Sequence, residues 1–131
     1  MLSTGVDIVA IARIEHLLAH FGERFLSRVY TPEEIRYSRS TPSELAARFA
    51  AKEAVSKALG VGMAMLSPAG IGWHEAEVRN DVRGKPYLIL SGKAQHLAQS
   101  CGLTEWSVSL SHDEGLAVAF VVAIGTLPPS A

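Results

Sequence analysis

Two carboxylates stand where the hydrophobic pattern gives them no structural role. Asp7 lies in residues 4–11, a stretch rich in β-branched side chains that predicts a strand. A carboxylate buried there without a partner would cost several kcal/mol. Glu53 lies one helical turn after Phe49, which places it at the margin of the core. Because Mg²⁺ takes oxygen ligands, keeps waters and completes its shell with substrate phosphates, the pair predicts a metal-phosphate site.

Each carboxylate also has an ordinary explanation. Asp7 would serve equally well at a strand end, facing solvent or accepting a backbone N–H. Glu53 and Lys57 form the i,i+4 pair that is common on solvated helices and is worth about 0.3–0.5 kcal/mol. In the metal-phosphate alternative, Lys57 instead adds positive charge for a phosphate. The sequence has no GxxxxGK[ST] loop and no GxGxxG after a strand, which argues against a P-loop or Rossmann nucleotide enzyme.

Two weaker signals concern binding. His112 ends an alternating apolar and polar segment, residues 106–112, and a side chain at a strand end can reach a cleft. A surface histidine is the alternative. Gly84-Lys85-Pro86 is a turn sequence, and turn chemistry accounts for it without a ligand.

A cationic edge runs along the first predicted helix, residues 13–25. On a helical wheel, the side chains beside the apolar stripe are Arg13, His16, His20 and Arg24, and Arg28 extends the patch. An ordinary solvated helix face would present the same pattern.

The hydrophobic pattern predicts an α+β fold with these residues on different elements. Strands are predicted at 4–11, 73–79, 87–90, 106–112 and 116–124, helices at 13–25, 41–59 and 91–100, and a loop at 61–72. Thr41 would cap the second helix in a capping box with Glu44, and Gly60 would end it. The continuously apolar residues 116–124 predict the central strand of an antiparallel sheet with both faces covered, and the helices should cover one sheet face.

Composition limits the class of protein. The 131 residues suit a single domain over 1–131, and a formal net charge of −1 gives no basic field for nucleic acid. No apolar run reaches the roughly 18 residues that a membrane helix needs. Cys101 is the single cysteine, so no internal disulfide is possible. With no basic-then-apolar leader before Gly5, we expect a soluble cytoplasmic protein.

Three motifs, in order along the chain, carry a resemblance to a known family. They are Gly5-Val6-Asp7-Ile8-Val9, Arg48-Phe49-Ala50-Ala51-Lys52-Glu53-Ala54-Val55-Ser56-Lys57-Ala58-Leu59-Gly60 and Ser109-Leu110-Ser111-His112. By these motifs and their spacing, the chain resembles the holo-(acyl carrier protein) synthases, which are 4′-phosphopantetheinyl transferases. Gly84-Lys85-Pro86 falls where that family has a similar turn.

The resemblance implies a reaction and its ligands. Phosphopantetheine would pass from coenzyme A to a serine of an apo acyl carrier protein, in support of fatty acid biosynthesis, and adenosine 3′,5′-bisphosphate would be released. Asp7, Glu53 and Lys57 would be the catalytic residues, with the two carboxylates holding Mg²⁺, for which Mn²⁺ is an alternative. Either Glu53 or a water on the metal would be the base.

The same resemblance implies binding roles and an assembly. Coenzyme A binding would fall to Arg48, Lys57, Gly84, Pro86 and His112. The family resemblance also implies a homotrimer with active sites between subunits, the neighbour giving the region around His112. Docking of the acidic carrier protein would fall to Arg13, Arg24 and Arg28.

Two rival functions stay open at this point. One is a module that binds coenzyme A or a nucleotide without catalysing transfer. The other is a purely structural trimerising domain, which leaves Asp7 in an apolar strand without a reason.

Overall fold

The computed structural model describes residues 1–64 and 68–125. In these ranges the strands are β1 (Leu2–Ala10), β2 (Ala76–Asn80), β3 (Pro86–Leu90), β4 (Leu103–Asp113) and β5 (Leu116–Gly125). The α-helices are α1 (Ile11–Phe21), α2 (Glu23–Val29), α3 (Pro32–Ser38), α4 (Pro42–Leu59) and α5 (Gly92–Ser100). Antiparallel strands and helices are mixed along the chain, which confirms the α+β prediction.

The core lies between α4 and a three-stranded antiparallel sheet of order β1-β5-β4. Ala117, Ala119 and Val121 of β5 are fully buried on the side of the sheet that faces α4. Alanines on the helix, such as Ala50 and Ala54, are also fully buried, so the backbones of helix and sheet approach closely. β5 is therefore the central strand, as its apolar sequence predicts.

The opposite face of this sheet is open and apolar. Its large hydrophobic side chains, which are 42–67% exposed, are Leu2, Val6, Ile8, Leu116, Phe120 and Ile124. The prediction that both sheet faces are covered is therefore wrong for the single chain. Monomeric soluble proteins seldom expose large contiguous apolar patches, so this face is suited to contact with another surface.

The long helix α4 is confirmed, but its start differs from the prediction. Gly60 ends the helix in the left-handed conformation, with φ of +76°. Thr41 makes no side-chain capping bond, so the capping box expected between Thr41 and Glu44 does not form. The Glu44 carboxylate accepts a hydrogen bond from Arg48 instead.

The predicted helix over residues 13–25 is wrong in extent. α1 ends at Phe21, because Gly22, with φ of +50°, turns the chain before α2 begins. The pattern also missed α3, which opens with a capping box between Thr31 and Glu34.

The remaining elements are close to expectation. Residues 73–75 form a 3₁₀ turn rather than the start of the strand predicted at 73–79, and strand pairing begins at Ala76. β2 and β3 form the predicted hairpin as a separate two-stranded sheet, and α5 is confirmed. The expected loop at 61–72 is seen in its described part, while residues 65–67 lie outside the described residues.

A fully buried ion pair ties α3 to α4. Lys52 Nζ donates to Glu34 Oε1 at 2.8 Å, to the Trp73 carbonyl at 3.0 Å and to the Ala76 carbonyl at 3.1 Å. Glu34 Oε2 accepts the Val78 backbone N–H at 2.9 Å. Burial lowers the pKa of the Lys52 ammonium, while Glu34 opposes that effect. This network fixes the segment around Trp73 beside the part of α4 that carries Glu53.

Among the described residues, no helix combines the length and apolar character needed to cross a bilayer.

Candidate active site

Asp7 is held inside the protein, next to Lys57. The Asp7 side chain is 12% exposed, and its Oδ1 accepts a hydrogen bond from Lys57 Nζ at 2.8 Å. Lys57 Nζ also donates to the Val6 carbonyl at 3.0 Å. The solvent-facing alternative for Asp7 is therefore wrong, and Lys57 forms its ion pair across the helix–strand interface with Asp7.

The second oxygen of Asp7 is unpartnered, and the charge of Asp7 acts on Glu53. Asp7 Oδ2 is buried and has no hydrogen-bond partner within the protein. Burial raises the pKa of the half-buried Glu53 carboxyl to about 7, and the nearby negative charge of Asp7 adds to this rise. Arg13 and Lys57 oppose the rise. The two carboxylates repel each other, which favours a proton or a cation beside them.

Gly5 lets the two carboxylates approach. It lies two residues before Asp7 on the same face of β1, and a Cβ at this position would lie 1.9 Å from the Ala54 carbonyl oxygen. Any other residue would push β1 away from α4. Since Ala54 follows Glu53 directly, the glycine sets the separation between the strand that carries Asp7 and the helix that carries Glu53.

The donor set fits a hard cation with an incomplete protein shell. In residues 1–64 and 68–125, no group of three or more His, Cys, Asp or Glu side chains is arranged around one point. Asp7 and Glu53 supply carboxylate oxygens, one of which is buried without a partner. Such a pair suits Mg²⁺, which takes few protein ligands and fills its other positions with water and phosphate oxygens. It does not suit a cation that needs an all-protein cage.

A groove of about 660 Å³ opens beside Glu53. Its lining includes the rings of Phe49 and Trp73, which are tilted by 32° with their centroids 4.7 Å apart. The Arg13 guanidinium lies over the Phe49 ring, 5.2 Å from its centroid. The cationic residues predicted for carrier-protein docking all line this groove, and they are Arg13, Arg24 and Arg28. The edge predicted on one helix is divided between α1 and α2, and His16 and His20 do not line the groove.

A second, polar cleft of about 500 Å³ gathers most of the residues predicted to bind coenzyme A. The predicted residues that line it are Arg48, Gly84, Pro86 and His112. Lys57, the fifth, lies with Asp7 instead. Arg48 and Glu53 are five residues apart on α4, which places them about 140° apart around the helix. They therefore line different clefts of one chain.

Sequence reasoning missed several residues of this polar cleft. Tyr37 lies on α3, which was not predicted, and its ring lies 5.2 Å from the Arg48 guanidinium carbon. Asn80 ends β2 and accepts a hydrogen bond from Arg48 Nη2 at 2.7 Å. Glu44 was assigned to a helix cap. The i,i+4 spacing of Glu44 and Arg48 was a signal for their contact.

Comparison with known proteins agrees with the three motifs. The family model of the 4′-phosphopantetheinyl transferase superfamily matches residues 3–121. A holo-[acyl-carrier-protein] synthase of Herpetosiphon aurantiacus is 50% identical over 127 residues, which cover 95% of this chain and 100% of that protein. The synthase of Koribacter versatilis is 46% identical over 125 residues, covering 93% of this chain and 97% of that protein.

Solved structures agree with the fold. The crystal structure of Helicobacter pylori holo-[acyl-carrier-protein] synthase in complex with coenzyme A matches with a TM-score of 0.81 at 35% identity. The match covers 92% of this chain and 99% of that chain. The resemblance seen in the sequence is confirmed, and the chain belongs to the 4′-phosphopantetheinyl transferase superfamily.

Proposed function

We propose that the chain transfers 4′-phosphopantetheine from coenzyme A to a serine of an apo acyl carrier protein, releasing adenosine 3′,5′-bisphosphate. The reaction would depend on Mg²⁺ and serve fatty acid biosynthesis in the cytoplasm. The single observation that carries the proposal is the buried, unpartnered Asp7 Oδ2 beside Glu53, with Lys57 on the other oxygen of Asp7. The family membership of the chain supports the same reaction.

Asp7 and Glu53 are the residues that would hold Mg²⁺. When bound, the cation would neutralise diphosphate charge and polarise the attacked phosphorus. Lys57 adds a positive charge at the same edge, and it is half exposed, so its ammonium can reach a phosphate outside the protein surface. Glu53 is the carboxylate that opens onto the groove, which makes it our candidate to accept the proton of the acceptor serine.

The proposal includes a homotrimer in which coenzyme A lies between copies. The open apolar face of the β1-β5-β4 sheet supports an assembly. The separation of Glu53 and Arg48 into different clefts supports a site completed by a neighbour, with one copy giving Asp7, Glu53 and Lys57 and the next giving Arg48 and His112. We expect the protein to have the molar mass of three chains in solution. A protein that stays a single chain would contradict the proposed homotrimer.

The basic rim of the groove would receive the carrier protein. We expect Arg24→Glu to raise the KM for the carrier protein about tenfold and to weaken its salt dependence, because a rim charge acts mainly on steering and encounter. Arg24 is a cleaner choice than Arg13, since Arg13 also acts on the pKa of Glu53. Initial rates at varied carrier concentration and ionic strength measure the effect.

The matched control for this experiment is Arg36→Glu. Arg36 is an exposed cation on α3 that pairs with Glu33 and lines neither cleft. Its reversal should leave the carrier KM within about twofold of the unsubstituted value, as is usual for surface positions outside an interface. Equal effects of the two reversals would show that net charge, and not the groove, governs docking.

Intact-mass spectrometry of an apo acyl carrier protein tests the proposed reaction. The carrier is incubated with the protein, coenzyme A and Mg²⁺, and a parallel sample contains EDTA. We expect the mass of one phosphopantetheine to be added, and the addition to stop with EDTA. Binding of coenzyme A without any transfer across several carriers would instead indicate a non-catalytic binding module.

A further inference from the structure

Two exposed histidines lie one helical turn apart on α1. His16 and His20 are four residues apart in the helix, and the centroids of their rings lie 3.9 Å apart with the ring planes tilted by 35°. Neither side chain lines the groove or the polar cleft, so the proposed reaction gives the pair no role. Imidazoles at i and i+4 on one face of a helix have the spacing that binds Zn²⁺ in helical metal sites.

A hydrogen bond to the backbone orients one of the two rings. His20 Nδ1 lies 2.9 Å from the His16 carbonyl oxygen. Because a carbonyl oxygen can only accept, Nδ1 carries the proton, and Nε2 keeps the lone pair that a metal ion requires. Histidines that ligate metals are held in this way, with the second ring nitrogen donating to a carbonyl or a carboxylate. The fold therefore already presents His20 Nε2 as a ligand atom.

The exposure of the pair allows a cation to bind without a change in the backbone. Exposed side chains change rotamer freely, so the two rings can turn their nitrogens toward one point. Arg13, one turn before His16, holds its guanidinium over the Phe49 ring in the groove. In residues 1–64 and 68–125, no third His, Cys, Asp or Glu side chain completes a cluster with the pair, so water fills the other coordination positions.

We propose that His16 and His20 form a surface site for a divalent cation that prefers imidazole ligands, such as Zn²⁺, Ni²⁺ or Cu²⁺. This site lies on α1, whereas Asp7 and Glu53 lie on β1 and α4 and offer the oxygen ligands that Mg²⁺ prefers. The two sites therefore differ in the cations they select. A cation on both imidazoles ties one turn of α1 together and stabilises the folded chain. The inference goes beyond the proposed function and does not depend on it.

Calorimetric titration of Zn²⁺ into the untagged protein, in a large excess of Mg²⁺, tests the site. The Mg²⁺ competes for carboxylate oxygens and leaves the imidazoles available. We expect one Zn²⁺ per chain, and a Kd at least about tenfold higher in His16→Ala and in His20→Ala, because losing even a supporting partner of a metal ligand costs about 10- to 100-fold. Both variants should fold, since alanine has the highest helix propensity.

His96→Ala is the matched control. His96 is an exposed histidine on α5, and the residues four positions before and after it are Gly92 and Ser100, so it has no imidazole partner at that spacing. The Kd of this variant for Zn²⁺ should equal that of the unsubstituted protein. An equal loss of affinity in all three variants would mean that single surface imidazoles bind the cation, and would overturn the inference.

Two further measurements identify the ligand atoms and the stoichiometry. In NMR spectra of the histidine ring nitrogens, Zn²⁺ should shift the His20 Nε2 signal while Nδ1 keeps its proton. Zn²⁺ should also raise the melting temperature of the unsubstituted protein and of His96→Ala by a few degrees, but not that of the two α1 variants.

Unchanged Zn²⁺ affinity in His16→Ala or in His20→Ala would overturn the proposed site. So would one Zn²⁺ per two chains with a Zn²⁺-dependent rise in molar mass, because the cation would then join imidazoles of different copies. Phosphopantetheine transfer does not enter these measurements, so either result leaves the proposed function standing.

Discussion

Asp7→Asn should remove phosphopantetheinyl transfer while leaving the protein folded. We expect kcat/KM to fall by at least about 100-fold, because loss of a group that merely supports a metal ligand already costs about 10- to 100-fold. The amide has one carbonyl oxygen for both Lys57 and a cation, whereas the carboxylate offers Oδ1 to Lys57 and leaves Oδ2 free. The rate of mass gain on the carrier protein, measured at several Mg²⁺ concentrations, gives the effect.

The fold of this variant should be kept because the change is small in volume and relieves charge. Asp7 raises the pKa of Glu53, so removing its charge takes away a repulsion. Lys57 loses an ion pair but is 55% exposed and can be solvated, and such pairs are worth about 0–1 kcal/mol. A thermal melt within a few degrees of the unsubstituted protein is the expected control. Turnover within about threefold of normal, at every Mg²⁺ concentration, would refute the metal role of Asp7.

The elements that carry the proposed site could be predicted because their patterns are long or strict. α4 extends over 18 residues and ends at a glycine, and β5 is apolar throughout. The position of Asp7 relative to Glu53 depends on more than these patterns, because it is set by the tight contact between Gly5 and Ala54. The sequence shows the glycine but not what it touches.

The two helix starts of the form Thr-Pro-x-Glu show why local signals fail. Thr31 and Glu34 form a capping box, whereas Thr41 and Glu44 do not, although the two signatures are equivalent in sequence. At α4 the Thr41 N–H donates to the Ser38 carbonyl at 3.0 Å, and the Glu44 carboxylate accepts a hydrogen bond from Arg48 Nη1, so both groups of the expected cap have other partners. These partners are decided by groups that meet in the folded protein.

Short elements were missed for a different reason. α3 has seven residues, too few to show a hydrophobic period, yet it supplies Tyr37 to the polar cleft and Glu34 to the buried ion pair. The spacing of Arg48 and Glu53 does place them about 140° apart on α4. It does not show which cleft each side of the helix faces, because that depends on the elements packed around α4.

The pH dependence of the protein should be set by Glu53. Its pKa in the folded, metal-free protein is about 7, against an ordinary value of 4.5. Between these two pH values the folded state holds a proton that the unfolded state has lost, so the free energy of unfolding decreases as the pH rises through this window. Chemical denaturation at pH 5, 6, 7 and 8 without metal measures the slope.

Glu53→Gln separates the contribution of Glu53 from those of the other ionisable groups. Near pH 5 the carboxyl of Glu53 is neutral, so the variant and the unsubstituted protein should have similar stability. At pH 8 the glutamine avoids the repulsion by Asp7, so the variant should be the more stable of the two. A difference in stability that does not change with pH would contradict the raised pKa.

The same proton should govern the Mg²⁺ requirement, because a cation can bind Glu53 only after the carboxyl has ionised. Below the pKa of about 7, the Mg²⁺ concentration for half-maximal transfer should decrease about tenfold for each unit of rising pH, and above it the concentration should level off. Bound Mg²⁺ should also cancel the loss of stability on raising the pH, since the cation replaces the proton between the two carboxylates. A Mg²⁺ requirement that is flat from pH 6 to pH 8, together with a normal stability slope, would mean that Glu53 titrates but does not bind the metal. Asp7 would then hold the cation without it, and Glu53 would keep only its candidate role as the base that accepts the serine proton.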